Sequence, residues 1–135
     1  MDRSRALAHC HDHVLGRRIL HIEIGIGTHL TFSFEDTDVK LWMYMSAWNI
    51  SSSDGMVLAC EDDRTTFPEK LGTLVGLTIT LFEADRCNNL TLGLGNEVIL
   101  RALATFSDED AWMLLESGAW FLGAGPNGQF VMEIG

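Results

Sequence analysis

The stretch His9-Cys10-His11-Asp12-His13 concentrates more ligand and proton-transfer chemistry than any other part of the chain. On a helix His9 and His13 stand four apart and share a face, with Asp12 beside them, so two imidazoles could meet one metal ion. A transition-metal centre needs further ligands, and none stands at a recognisable spacing. His21 and His29 are the remaining histidines, and Cys60 and Cys87 are isolated. The cluster reads as a solvated helix end, and no metal is expected.

Glu23 and Glu83 are a second pair of interest, because they occupy matching places in two similar segments. If those segments pack about a pseudo-twofold axis, the carboxylates approach each other. One protonated and one ionised acid is what glycoside cleavage requires. No aromatic platform or polar run accompanies them, so the preferred reading has each glutamate pointing outward from its strand. Other catalytic signatures are absent: there is no G-x-S-x-G elbow, no phosphate-binding glycine loop and no H-E-x-x-H. Gly25 and Gly27 lie in I-G-I-G, but another strand follows them where a dinucleotide site needs a helix. The chain is therefore expected to be neither an enzyme nor a cofactor binder.

The elements that carry these residues recur. At an offset of 60 residues, segment 16–35 aligns with 76–95, with Gly16/Gly76, Ile19/Ile79, Glu23/Glu83, Leu30/Leu90 and Thr31/Thr91 identical. At an offset of 64, Ala47-Trp48-Asn49-Ile50 meets Ala111-Trp112-Met113-Leu114. Two collinear blocks predict an internal repeat, 16–58 and 76–122, within one domain over 1–135. Leu30, Phe32 and Phe34 alternate with polar residues, as do Leu90, Leu92 and Leu94, the signature of half-buried strands. Val39, Leu41, Met43 and Met45 share one face of the next strand and Trp42 and Tyr44 the other, which predicts a strand covered on both sides. Asp36-Thr37-Asp38 and Gly95-Asn96 read as matching hairpin turns, and Pro126-Asn127-Gly128 joins strands near 119–124 and 129–134. Gly93, Gly95, Gly123 and Gly125 are assigned to hairpins as well. Helices over 3–15 and 68–74 precede the units, the second with Pro68 in its first turn.

The expected fold is mainly β (α+β). Two tandem copies of a helix plus an antiparallel meander of four strands, with one extra C-terminal strand, pack as a pseudo-twofold β-sandwich or barrel-like domain.

Composition narrows the function. The chain has 135 residues and a net charge of −10, from 19 acids against 9 bases, which argues against nucleic-acid binding. No apolar run approaches the length of a membrane span, and the N-terminus lacks the apolar core of a signal peptide. Three unpaired cysteines fit reduced thiols, so a cytoplasmic location is expected.

The acids are bunched at Asp36 and Asp38, at Glu61-Asp62-Asp63 and at Asp108-Glu109-Asp110. Acidic surface combined with rigid aromatic anchors suits a basic protein partner. Trp48 and Trp112 recur between the units and are assigned to the core; Trp42 and Trp120 are unmatched and are assigned to the contact surface. With its acidic loops and its A-W-x-[IL] strands at 47–50 and 111–114, the chain is similar in character to the immunity proteins of bacterial toxin systems. That resemblance implies a non-catalytic domain that neutralises a basic, nuclease-like toxin by occluding its active site or substrate surface. The competing readings are a self-associating homodimer, built on the strands 41–45 and 120–122, and a small-ligand binder with its cavity between the units.

Overall fold

The period-two stretches become strands, and their alternation decides which side chains are buried. The computed structural model describes residues 1–55, 57–105 and 108–135, so Met56, within the first repeated segment, lies outside the described residues. The strands are β1 (Ile19–Ile24), β2 (Leu30–Phe34), β3 (Val39–Met43), β4 (Ser46–Ser52), β5 (Val57–Ala59), β6 (Ile79–Ala84), β7 (Leu90–Leu94), β8 (Val98–Ala104), β9 (Trp112–Glu116), β10 (Trp120–Ala124) and β11 (Phe130–Ile134). Two helices accompany them, α1 (Arg3–Val14) and α2 (Phe67–Gly72). The fold is mainly β. A six-stranded antiparallel sheet, ordered β1-β2-β3-β9-β10-β11, packs on a five-stranded one, ordered β5-β4-β8-β7-β6, as an open sandwich.

Each meander holds three strands, one fewer than expected. After β3 and again after β8 the chain crosses to the opposite sheet, so that β3 pairs with β9 and β4 with β8. Backbone hydrogen bonds from Tyr44 N–H to Ala111 (2.9 Å) and from Met45 N–H to Asp110 (3.2 Å) keep the first crossing satisfied. The pairing has the same register in both halves. Ile19, Ile22 and Ile24 oppose Phe34, Phe32 and Leu30, while Ile79, Phe82 and Ala84 oppose Leu94, Leu92 and Leu90. A bulge follows the first residue of each strand. It puts the buried residues of β1 three apart, at Ile19 and Ile22, where plain alternation would put them two apart.

The sheets meet along one edge. Arg18 bridges Thr78, Gly16 N–H donates to the Ile79 carbonyl at 2.9 Å, and Gly76 N–H donates to that of Ile19 at 2.8 Å. From this bridge β1 and β6 run in opposite directions. Glu23 and Glu83, five residues out on either side, are therefore on the order of 30 Å apart. The paired-carboxylate geometry is excluded, and both glutamates are exposed.

One core contains the inner faces of both sheets. Trp48 and Trp112 lie at its centre, 2% and 0% exposed. Each indole N–H donates to a carbonyl in the loop before β2 or β7, Trp48 to Thr28 at 2.8 Å and Trp112 to Asn88 at 3.0 Å. Those two acceptors share a left-handed backbone, φ 65° and 63°.

α1 presents Ala6, Cys10 and Val14 inward at a spacing of four, and fills the open side between β6 and the β10–β11 hairpin. His11 Nε2 lies 2.8 Å from the Phe82 carbonyl, and Arg3 stacks over the Phe130 ring. α2 packs on β1 and sets Phe67 against Trp48, 5.6 Å between ring centroids. Among the described residues no helix is long and apolar enough to cross a membrane.

Two details depart from the sequence reading. β3 is covered on one face only: Val39, Leu41 and Met43 are buried, while Trp42 is half-exposed and Lys40 exposed. Gly93 and Gly123 are strand residues, and what they supply is clearance. A Cβ at Gly93 would lie 2.7 Å from Thr80 Oγ1 in the β6 bulge, and one at Gly123 would collide with the Asp110 carboxylate.

Candidate protein-binding face

The solvent side of the six-stranded sheet is built from the residues between the core positions. One cross-strand row runs Glu23, Thr31, Trp42, Met113, Gly123, Val131 from β1 to β11. The next runs Ser33, Lys40, Leu115, Phe121, Glu133. Their middle is apolar because β9 reads W-M-L-L-E: Trp112 and Leu114 fill the core, which leaves Met113 and Leu115 on the outside. Met113 is nonetheless only 8% exposed, covered by its neighbours on the same face. Val131, on the edge strand, is 52% exposed.

Trp42 anchors one end of this face. Its ring stands 5.1 Å from Tyr44 and 6.2 Å from His29, and His29 and Tyr44 are 4.9 Å apart, so three rings form a tilted cluster. Mutual packing costs these residues rotamer freedom in advance, which suits a rigid contact surface.

Two acidic runs lie beside this cluster. Asp110 folds over Gly123 and Gly125, two strands from Trp42. Desolvation raises its pKa, and Glu109 and Glu133 add to the rise, so its carboxylate is held among like charges. Glu61, Asp62 and Asp63 are exposed, and Arg64, the next residue, donates to the Gly25 carbonyl at 3.1 Å, tying that run to the loop between β1 and β2. Asp62 and Asp63 also have structural work, accepting from the backbone N–H of Ala59 (2.9 Å) and Thr65 (3.0 Å). Asp63 ionises more readily than a free aspartate, chiefly because of that Thr65 N–H.

The remaining expected site residues lie elsewhere. Asp36 and Asp38 are exposed in the β2–β3 hairpin, at the opposite end of β3 from Trp42, with Asp38 about 13 Å away along the strand. Trp120 belongs to that far end and to the inner side, in line with buried Leu122 and Ala124. Its ring packs 4.3 Å from His9 and 4.9 Å from His13, and its N–H donates to Glu116 at 3.1 Å. It joins α1 to the sheet and is not part of the outer face. Sequence inspection overlooked His29, Tyr44, Met113 and Gly123. For Met113 and Gly123 the available signal was the Glu23/Glu83 and Thr31/Thr91 identity, which marks the row they complete; His29 and Tyr44 join it only through their ring contacts with Trp42.

The histidine cluster is thus a packing element. Among the described residues no group of three or more His, Cys, Asp or Glu is arranged to hold a metal ion. Desolvation lowers the pKa of His9, His13 lowers it further, and Asp12 partly opposes them. The folded state therefore disfavours protonated His9, and its contribution to stability is present above the ordinary value of 6.5 and lost as pH falls below it. Asp63 is depressed and loses its contribution only below 3.8, while Asp110, being raised, acts in the opposite sense and gains as pH falls. Stability from urea titrations should fall as pH drops below 6.5 in the parent, and His9→Phe should flatten that slope. An unchanged slope in His9→Phe would assign the effect to another group. Cys10, deep under the same helix, has its thiol pushed up to about 12 by burial and is inert as a nucleophile.

No protein-family model, curated protein or solved structure matches this chain, so the functional reading rests on its residues and their arrangement.

Proposed function

We propose that this domain is a non-catalytic acidic binding protein that neutralises a basic protein partner, in the manner of the immunity proteins of toxin systems. The observation that carries the reading is one end of the six-stranded sheet, where the ring cluster of Trp42, Tyr44 and His29 lies between two acidic runs. An aromatic anchor inside a charged rim combines slow dissociation with steered association. The net charge of −10 favours a basic protein over a second copy of the chain at this face. Docking there covers the partner's cationic surface, which is the surface a nuclease-like toxin needs for its own substrate.

The edge strand β11 favours a second reading, self-association, since Val131 and Ile134 are 52% and 84% exposed. The two are separated by salt. A partner recovered on the immobilised protein should associate more slowly as ionic strength rises and the Debye length falls below about 10 Å. Asp108→Lys with Glu61→Lys should lower the on-rate about tenfold with little change in the off-rate. Trp42→Ala should instead raise the off-rate and cost on the order of 2 kcal/mol of binding. A protein that binds no basic partner, yet forms a dimer indifferent to salt, sinks the proposal in favour of self-association.

A further inference from the structure

The face carries a hollow of its own. Glu23, Gly25, Ile26, His29, Thr31 and Trp42 line an open pocket of about 330 Å³ beside the ring cluster. Thr31 is its floor, opposite Glu23 on one neighbouring strand and Trp42 on the other. Two strand spacings put Glu23 and Trp42 roughly 9.6 Å apart at the backbone, enough to admit one planar or alkyl group between their side chains. Ile26, 91% exposed, stands at the rim.

We propose that this hollow is a binding site for a single guanidinium or ammonium side chain presented by the basic partner, an inference that rests on the docking reading above. A cation seated over Thr31 has the Glu23 carboxylate on one side and the Trp42 ring on the other, an anion and an aromatic wall that both attract it. Packing against Tyr44 and His29 holds the indole in place. Arg64 does not line the pocket and is engaged at the Gly25 carbonyl on its rim.

The other half of the chain supplies the contrast. The corresponding hollow of the five-stranded sheet, about 460 Å³, is lined by Glu83, Asp85, Asn89 and Thr91, with α1 over one side. There the third residue of the row is Arg101, opposite Thr91, where the first half has Trp42. A resident guanidinium stands where the indole would be, so this hollow lacks the aromatic wall and already holds a cation beside Glu83 and Asp85. The pair of sites puts an aromatic third wall on one backbone geometry and a cationic one on its counterpart.

The test uses the full chain and Nα-acetylargininamide, with Nα-acetylcitrullinamide as the neutral isostere, followed by the Trp42 and Trp112 indole N–H resonances and, in every variant, by the backbone amide resonance of Thr31 on the pocket floor. The arginine probe should shift the Trp42 signal saturably and leave Trp112 unmoved. Glu23→Gln should bind it at least about fivefold more weakly, Trp42→Leu should abolish binding, and Trp42→Phe should restore part of it. Equal shifts with the citrulline probe, or wild-type affinity in Glu23→Gln, would overturn the site. Probe binding by a protein that takes no basic partner keeps this site and overturns the docking reading. A partner held equally well by parent, Glu23→Gln and Trp42→Leu overturns this site and leaves a docking reading centred elsewhere on the face.

Discussion

Replacing Asn88 by alanine is expected to lower the free energy of unfolding by about 3 kcal/mol or more. Asn88 is the one fully buried polar side chain among the described residues. Its Oδ1 accepts from Arg3 at 3.0 Å, and its Nδ2 donates to the carbonyls of Gly125 (3.1 Å) and Gln129 (3.0 Å). Arg3 extends the network to the Gly128, Ala84 and Asp85 carbonyls, so the start of α1, the end of β6 and the β10–β11 turn are fastened at one point. Alanine would take the Asn88 donor from the buried Gly125 carbonyl and the Oδ1 acceptor from Arg3, and would also occupy a left-handed backbone, φ 63°, which asparagine tolerates better. Asn88→Gly tests that division: it loses the same hydrogen bonds but not the backbone preference, and should be about 1 kcal/mol less damaging than alanine. Urea unfolding reads both. A loss under about 1 kcal/mol for Asn88→Ala would mean that water replaces the network and that the fastening is nominal.

The central tryptophans should be costlier still. Trp112→Ala and Trp48→Ala are each expected to lose about 3–5 kcal/mol, with Trp112 the worse. Among the described residues Trp112 packs against two rings, Phe82 at 5.4 Å and Phe130 at 5.8 Å, while Trp48 packs against one, Phe67 at 5.6 Å. Should the alanine variants fail to fold, the phenylalanine variants keep most of the volume and remove only the N–H donated to Thr28 or Asn88, at about 1–2 kcal/mol each. If Trp48→Phe and Trp112→Phe differ widely, the two indole anchors are not equivalent and the matching register overstates the likeness of the halves.

Much of the fold was legible, because alternation, turn residues and helix stops are local signals. Leu30, Phe32 and Phe34 place β2 and its buried face, Pro126, Asn127 and Gly128 place the last hairpin, and the recurrence of Trp48 at Trp112 marks both as core. The exchange of strands between sheets was not legible, since nothing local at Tyr44 and Met45 distinguishes a crossing from a hairpin. The same limit governed the candidate site. Acidic runs can be read from composition, but which of them share a face is decided by non-local pairing. That pairing gathers Trp42 with residues 61–63 and 108–110, and sends Asp36, Asp38 and Trp120 to the far end. Gly123 looked like a turn residue because its true reason, room for Asp110, is contributed from another strand.

The strand exchange also sets the order in which the molecule can come into being. Val39, Leu41 and Met43 of β3 find their partners at Glu116, Leu114 and Trp112, and β4 finds its partners along β8. A ribosome delivers the first half well before these partners exist, and synthesis at about 5–20 residues per second leaves it waiting for seconds. During that interval β3 and β4 are nascent strands with unpaired, apolar edges, the kind that recruit other chains. No stage of synthesis yields a finished half that could fold and then dock, because each half is completed only by strands of the other. High sequence separation between paired strands makes the productive closure slow. Crowded acids along the chain, in keeping two nascent copies apart, serve the protein before it has any surface to present.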